Sequence, residues 1–438
     1  MKKGLLGSTA LIGATALMAG TAGAAEAPTW KLTGNANFQL YWADQDAGGA
    51  GSQTGGGGFA GPTTTSTAIF GTTFTHVHVG VTAGVFGINP TTDGQDHEWY
   101  FGVDTAELQL NVSGTADNGL NYGFKIELNA NTTHTTAADE VRLQFSGGWG
   151  TLQMGDEDGA EDIMNYGGEN LMGATGGFDG DQDDYIYRAG DVVVTTVAHT
   201  SVTFTTASTT LSFNVAAPSY PTVAGDTSDH TKISYFSPRF SGFQVGASIT
   251  PTSSMDGDEF KADSSFENHY GLGANYDNSF GGLRVRASAV YSAASSTSVG
   301  TEDISAWQVG GIVGFGPFSV GANYADNGES GEIVGTSFES SFWNVAAAFE
   351  TGPLYLSAGY FSSVREFGVL TGVADSTYEH IALTADYSVA PGLGIYAEIN
   401  LIEDELTGGN IFGNTGTPGF TSLSNDTTSV VVGANISF

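Results

Sequence analysis

Short segments in which apolar and polar residues alternate one by one recur along this chain of 438 residues. In Glu107–Ser113, aliphatic residues alternate with Glu, Gln and Asn, and Asn121–Asn129, His380–Ala390 and Ile395–Leu401 follow the same pattern. Successive side chains of a β-strand point to opposite faces, so a period of two predicts half-buried strands. The pattern therefore predicts an all-β fold. It leaves open whether the apolar face packs into a soluble core or faces lipid.

The connections between these segments are alternately short and long. Seven short ones, rich in Gly and Pro, join pairs of segments, and longer polar stretches such as 326–339 and 403–426 separate the pairs. Bacterial outer-membrane barrels have short periplasmic turns and long extracellular loops. Seven short turns, with both termini at the turn end, predict a closed transmembrane antiparallel β-barrel of 16 strands. The short connections are Gly114–Gly119, Gly147–Gly150, Ser237–Gly242, Asp277–Gly282, Gly314–Pro317, Thr351–Pro353 and Ala390–Gly394.

One further β-like stretch, Val192–Phe213, does not fit this count. As an extra hairpin of the barrel it would give 18 strands. As part of an elaborate loop it would leave 16, which is the interpretation that we favour.

The N-terminal segment has the features of a secretory signal peptide. Two lysines precede an apolar stretch, Leu5–Gly20, and small residues follow up to Ala24. This pattern predicts export with cleavage of residues 1–24, which leaves 25–438 as a single barrel domain.

Composition excludes several other classes of protein. The formal net charge is −35, and removal of residues 1–24 would leave 10 basic and 47 acidic side chains, which argues against nucleic-acid binding. The chain has no cysteine, so disulfides cannot stabilise it. A closed barrel offers another source of stability, because every strand is hydrogen-bonded on both sides. No mature segment has 18 consecutive apolar residues, as a helical membrane span requires. No nucleophile elbow, phosphate loop or zinc-protease motif is present, so we do not expect an enzyme.

The last segment combines alternation with an aromatic end. Val430, Val432 and Ile436 share one face, and the chain ends on Phe438. A last strand that pairs with the first removes the open edge of the sheet. A terminal aromatic residue is expected at the membrane interface.

Two internal segments carry a family resemblance: Val141–Gly155 (VRLQFSGGWGTLQMG) and Lys232–Pro251 (KISYFSPRFSGFQVGASITP). Together with the final strand they resemble the Gram-negative general porins, particularly the trimeric type of alphaproteobacteria. The resemblance implies a homotrimer in the outer membrane, in contact with lipid and lipopolysaccharide, which passes small hydrophilic solutes by diffusion. It also implies that Phe438 is part of the signal read by the barrel assembly machinery.

The resemblance further implies that the loop after the fifth strand folds inward and narrows the pore. Residues 156–184 would be this constriction loop, and they contain ten acids and no base. The alternative is a solvated external loop. If the acids face bases on the inner wall, a transverse field crosses the pore, and the excess of acids predicts a preference for cations. The candidate acids are Asp156, Glu157, Asp158, Glu161, Asp162 and Glu169, and the candidate wall bases are Lys125, Arg142, Arg284 and Arg286.

The same loop holds a candidate calcium site. Asp179, Asp181 and Asp183 alternate with other residues, and Ca²⁺ prefers several carboxylate oxygens. The run lacks a complete EF-hand pattern, so simple solvation of the carboxylates is the alternative. We expect no cofactor to be required, with Ca²⁺ as the one candidate ligand.

Two other functions are compatible with parts of the sequence. A substrate-specific outer-membrane channel would have the same fold with a dedicated solute site. A secreted, acidic, β-rich calcium-binding surface protein would explain the Gly, Thr and acid content, but it would not explain Phe438 or the alternating connection lengths.

Overall fold

The computed structural model describes residues 27–45, 66–69, 72–75, 86–87, 97–130, 138–180, 182, 186, 188, 193–199, 206–212, 216–252, 265–367, 375–407 and 423–438. Among these residues, none of the helices combines the length and the apolar character that crossing a membrane requires.

The alternating segments form one closed antiparallel sheet of 16 strands. Its first half contains β1 (Thr29–Gln45), β2 (His97–Gly102 and Ala106–Thr115), β3 (Asn121–Asn129), β4 (Ala138–Gly147), β5 (Gly150–Asp156), β6 (Thr231–Phe236), β7 (Phe243–Thr252) and β8 (Phe266–Phe280). Its second half contains β9 (Leu283–Ser296), β10 (Ile304–Phe315), β11 (Phe318–Gly328), β12 (Phe338–Thr351), β13 (Leu354–Phe367), β14 (Ser376–Ala390), β15 (Leu393–Leu406) and β16 (Leu423–Ser437). Both parts of β2 pair with the same edge of β1, so they count as one strand.

The first and last strands close the barrel, as the sequence predicts. β16 pairs with the other edge of β1, from Asn35 opposite Ser437 to Gln45 opposite Thr427. Each remaining strand pairs with its neighbours in the order of the barrel. The edges of these strands are therefore satisfied within the sheet, which a sheet in lipid requires.

All seven predicted short turns join neighbouring strands at one end of the barrel. Five of these turns have only two residues between the strands, and the turn between β8 and β9 is one of them. Gly281 and Gly282 both have positive φ there (55° and 90°), as the common hairpin turns with a matching twist demand. The start of β1 and the end of β16 lie at this same end.

The described parts of the stretch Val192–Phe213 lie outside the barrel sheet. Val193–His199 and Thr206–Ser212 form a hairpin that pairs with Phe86–Gly87 in a separate sheet. β5 and β6 pair directly with each other, which leaves no opening between them for two more strands. The prediction of 16 strands is confirmed, and the alternative of 18 is wrong. A second hairpin outside the barrel joins Ser66–Ile69 to Thr72–Thr75.

The apolar faces of the strands point outward. In β14, Tyr378, His380 and Ala382 are buried inside, whereas Ile381 and Leu383 are exposed on the outer surface. The same division recurs around the sheet, with Leu, Ile, Val and aromatic residues outside. A soluble sandwich would bury this face, so the outer surface fits lipid.

The segment between β5 and β6 fills part of the interior. It contains a short helix, α1 (Ala160–Ile163), and a 3-10 turn, Glu169–Leu171. Its apolar side chains pack against inward-facing residues of the wall and form a buried cluster inside the barrel. Members of this cluster are Leu171, Met172, Phe178, Ile312, Phe342, Ala346, Phe361, Tyr378 and Ala382.

Candidate functional site

The segment that follows β5 crosses the inner wall of the barrel from β7 to β15. Its backbone N–H groups donate hydrogen bonds to wall side chains at 2.8 to 3.1 Å. The donors are Ala160, Tyr166, Gly173 and Ala174, and the acceptors in the same order are Ser248, Ser288, Ser357 and Asp386. Farther along, the Thr175 hydroxyl donates to Glu398 on β15 at 2.8 Å. The loop therefore folds inward, as the resemblance implies.

Glu161 marks the closest approach of the loop to the wall. Its carboxylate is 2 % exposed and accepts a hydrogen bond from the Ser248 hydroxyl at 2.9 Å. A Cβ at Gly271 would lie 1.5 Å from Glu161 Oε2, so any other residue there would displace the carboxylate of Glu161 from this position. Burial, and then the charge of Asp226, raise the pKa of Glu161 to about 7.

Glu169 also turns toward the wall. Its carboxylate accepts hydrogen bonds from the amides of Asn323 and Asn344 at 3.0 Å each, and from Asn165 in the loop at 2.7 Å. These three amide donors replace water around the carboxylate of Glu169 at the junction of loop and barrel. Glu161 and Glu169 are thus brought to the wall by polar partners that lie on the inner faces of the strands.

Of the other four candidate acids, Asp156, Glu157 and Asp158 lie at the end of β5 or directly after it, and Asp162 lies in α1. Asp156 accepts a hydrogen bond from the Thr231 hydroxyl at 2.5 Å, and Asp158 and Asp162 are half-buried. Glu157 forms an ion pair with Arg142. Burial, opposed by Arg142, raises the pKa of Glu157 to about 7.

The remaining candidate bases pair with acids of the wall. Lys125 contacts Glu127 at 2.6 Å and also Glu140. Arg284 and Arg286 on β9 share Asp277 of β8, at 2.8 Å and 3.5 Å. Arg142 is therefore the one candidate base whose ion pair with a candidate loop acid occurs among the described residues.

Sequence reasoning missed the wall acids, although the alternation contains the signal for them. Glu127 lies two residues after Lys125 on the same strand face, and Glu140 lies two residues before Arg142. Lys125 and Arg142 are opposite each other on β3 and β4, so these charges form one group. Glu107, Glu127 and Asp139 also lie together, with carboxylate oxygens within 4.8 Å of one another.

The calcium hypothesis is only partly covered by the structure. Asp179 is half-buried, whereas Asp181 and Asp183 lie outside the described residues. A calcium site in this loop stays a prediction. Within the described part of the chain, the carboxyl groups close enough to hold a metal are those of Glu107, Glu127 and Asp139.

Phe438 ends the chain at the seam of the barrel. Its N–H donates to the carbonyl of Gly34 at 3.0 Å, and its carbonyl accepts from the N–H of Gly34 at 3.2 Å. The side chain is 69 % exposed. This position fits an aromatic residue at the membrane interface; its role in assembly stays a prediction.

Solved structures with the same architecture cover most of this chain. An anion-selective porin from Comamonas acidovorans is 15 % identical with a TM-score of 0.56, over 94 % of this chain and 100 % of that one. A loop-deletion mutant of OmpT, an outer membrane protein of Vibrio cholerae, is 14 % identical with a TM-score of 0.53, over the same shares. At these identities the likeness shows the fold.

Sequence comparison gives short matches and one extended match. Uncharacterized proteins of Rickettsia conorii and Rickettsia bellii are 29 % and 30 % identical over 101 residues, which is 22 % of this chain and about a fifth (21 %) of each relative. The extended match is to the family model of the Gram-negative porins, which covers residues 13–406. A match over nearly the whole of a closed 16-stranded barrel shows that the chain belongs to the Gram-negative porin family of the outer membrane.

Proposed function

We propose that this chain forms a general diffusion channel of the outer membrane that passes small hydrophilic solutes and prefers cations. Family membership and the closed barrel with an apolar exterior support a diffusion channel rather than an enzyme or a secreted calcium-binding surface protein. The loop packed against one side of the interior would set the width of the pore. The charges that remain on the wall would set its selectivity.

The observation that supports a cation preference is the charge group on β2 to β4. Lys125 forms ion pairs with Glu127 and Glu140, and carboxylate oxygens of Glu107 and Asp139 lie within 4.8 Å of Glu127 and of each other, so this group has four carboxyl groups. Asp229 adds to this group from the end of the loop, because burial, Glu140 and Asp139 together raise its pKa to about 6. Close carboxylates repel one another, and mobile cations in the pore relieve that repulsion.

Reversal potentials in a planar bilayer under a KCl gradient test this proposal. We expect the wild-type channel to be cation-selective, and the double variant Glu127→Gln/Glu140→Gln to lose much of that selectivity because Lys125 is left without its two acids. Glu366→Gln is the matched control, because Glu366 lies on the exposed outer side of β13 and its loss should leave the potential unchanged. An anion-selective wild-type potential contradicts the proposal.

We further propose that three copies associate through the sector of short strands. β3 to β7 have 6 to 10 residues, whereas β8 to β16 have 11 to 15. The apolar outer face of this sector is shortest at β5 and β6, which have 7 and 6 residues where a membrane-spanning strand needs roughly 9–11, so contact with a neighbouring copy would complete it. Its exposed apolar residues include Leu128, Leu143, Ile233 and Val245.

Chemical cross-linking in outer-membrane fractions tests the trimer. Cysteine pairs placed on the short sector should give cross-linked trimers, and a cysteine on the outer face of β10, such as Val309→Cys, should not. The outer face of the longer strands, β8 to β16 (the long sector), would then contact lipid and lipopolysaccharide. Cross-linking only through the long sector argues against this arrangement.

A further inference from the structure

Positive charge collects at the end of the barrel that carries the short turns. Arg239 lies in the turn before β7, and Arg284 and Arg286 lie one and three residues into β9. At about 3.3 Å per residue, both strand arginines are within roughly 10 Å of the turn. The acids Glu107 and Glu127 lie six or more residues from their turn. Short turns face the periplasm in bacterial barrels, so these arginines belong to the periplasmic mouth.

The three arginines share one acid. Asp277 receives two hydrogen bonds from Arg284, at 2.8 and 3.2 Å, and contacts Arg286 Nε at 3.5 Å. Arg239 lies close enough to act on Asp277 electrostatically. Two positive charges are therefore in excess at this position, in a chain with 12 basic and 47 acidic side chains.

The three arginines differ in how many of their N–H groups already have a hydrogen-bond acceptor. Arg239 is occupied by Gly242 O, Gln244 and Asn275 at 2.7 to 2.9 Å. Arg286 Nε is buried without a hydrogen-bond acceptor, and among the described residues no acceptor is bound to the two terminal nitrogens of Arg286. The guanidinium lies over the ring of Tyr166 from the loop, 5.6 Å from its centroid, which holds it in the lumen. Arg284 is about half exposed, and its Nη1 has no acceptor among the same residues.

We propose that Arg284 and Arg286, with the charge of Arg239 behind them, form a binding site for small divalent oxyanions such as inorganic phosphate at the periplasmic mouth. Planar guanidinium groups bind such oxyanions through paired, charge-assisted hydrogen bonds. Two excess positive charges match a dianion better than the monovalent chloride ion, which has no separate oxygen atoms for paired hydrogen bonds. The proposal rests on the proposed channel function for its route of access, because solutes reach this mouth through the lumen or from the periplasm.

Single-channel recording with potassium phosphate added to the side of the short turns tests the site. We expect brief, concentration-dependent interruptions of the KCl current that are fewer when phosphate is added to the other side. Arg284→Gln/Arg286→Gln should weaken the block by about fivefold or more, since two charge-assisted hydrogen bonds to a partly exposed anion are lost. Arg365→Gln is the matched control, because Arg365 lies at the end of β13 that is away from the short turns, where it pairs with Glu332. A block that is unchanged in the double variant overturns the proposal.

A second variant guards against misfolding as the explanation. Asp277→Asn removes the acid that competes with phosphate, so it should strengthen the block instead of weakening it. Equilibrium binding of phosphate to the detergent-folded protein, followed by phosphorus NMR line broadening, needs no conduction. Binding without conduction contradicts the channel and keeps the site. Conduction with neither block nor binding overturns the site alone.

Discussion

The inner wall of the barrel has two unlike regions. The covered wall, which is the inner face of β7–β15 under the loop, carries small, hydroxyl-bearing and apolar residues, and its polar groups bind the loop backbone. The bare wall, which is the inner face of β1–β4, carries amides and charges such as Gln39, Glu107, Lys125 and Arg142. One sheet with one alternation pattern therefore has two chemically different inner faces. The covered wall positions the loop, and the bare wall carries the charges to which we attribute the selectivity of the proposed channel.

The largest expected effect comes from breaking the covered wall at its apolar cluster. Phe178 of the loop is fully buried, stacks on Phe361 at 5.9 Å between ring centroids and meets His380 edge-on at 6.0 Å. Phe178→Ala should weaken docking of the loop by about 3–5 kcal/mol, as for other buried Phe truncations. The loop should then leave the wall for part of the time, with noisier currents and altered conductance in single-channel recordings.

Phe318→Ala controls for the loss of a large aromatic residue. Phe318 is exposed on the outer surface, where it contacts Phe349 and not the loop. Its truncation should leave the conductance of inserted channels unchanged. Equal changes in both variants would mean that the apolar cluster has no special part in holding the loop.

The covered wall was also the part that sequence could not predict. Alternation, turn lengths and the final strand predict the barrel, the strand count and its closure, because these depend on local patterns. Phe342 and Phe361 point inward and are buried by the loop, whereas alternation alone assigns inward positions to polar residues. Contacts such as Glu169 with Asn323 and Asn344 join residues more than 150 positions apart, which no local pattern encodes.

The bare wall was more predictable, within a limit. Lys125 and Arg142 do lie on the inner face, as the period of two requires. The partners of Lys125 were not predicted: Glu127 and Glu140 pair with it from the same and the neighbouring strand. An acid of the loop can reach Lys125 only if the loop backbone lies close to it. An acid on the same or the neighbouring strand is held beside Lys125 by the sheet itself.

A smaller effect should come from the titration of Glu161, whose carboxyl group binds the loop to Ser248 of the covered wall. Burial raises the pKa of Glu161 above its usual range, to about 7, so the docked loop binds this proton more tightly than the released loop. Docking is therefore strongest below the usual carboxyl range and weakens as the pH rises through about 7, by about 1.4 kcal/mol at most for each unit of pKa difference. Glu157, whose pKa is also raised to about 7, acts in the same direction.

Hydrogen exchange of the loop amides between pH 5 and pH 8, corrected for intrinsic rates, measures this dependence. Exchange at Met164 and its neighbours should rise faster than the intrinsic trend between about pH 5 and pH 7, and should follow that trend above pH 7, where Glu161 is ionised in the docked and the released loop alike. Glu161→Gln should reduce the pH dependence to the part that Glu157 contributes, because the amide keeps the Ser248 hydrogen bond without a titrating charge. A pH dependence that is undiminished in this variant would assign the effect to other groups.

The smallest expected effect sharpens the bare wall. Lys125 is the ammonium between Glu127 and Glu140, so Lys125→Gln removes the positive charge from that group and leaves its acids to attract cations. The cation-to-anion permeability ratio should rise by about twofold, since salt in the pore screens a single charge. Reversal potentials at low ionic strength measure the change best. Lys31→Gln is the matched control, because Lys31 lies near the turn end of β1 and is exposed to solvent. If both substitutions shift the potential equally, selectivity follows the total charge of the lumen and not the group on β2 to β4.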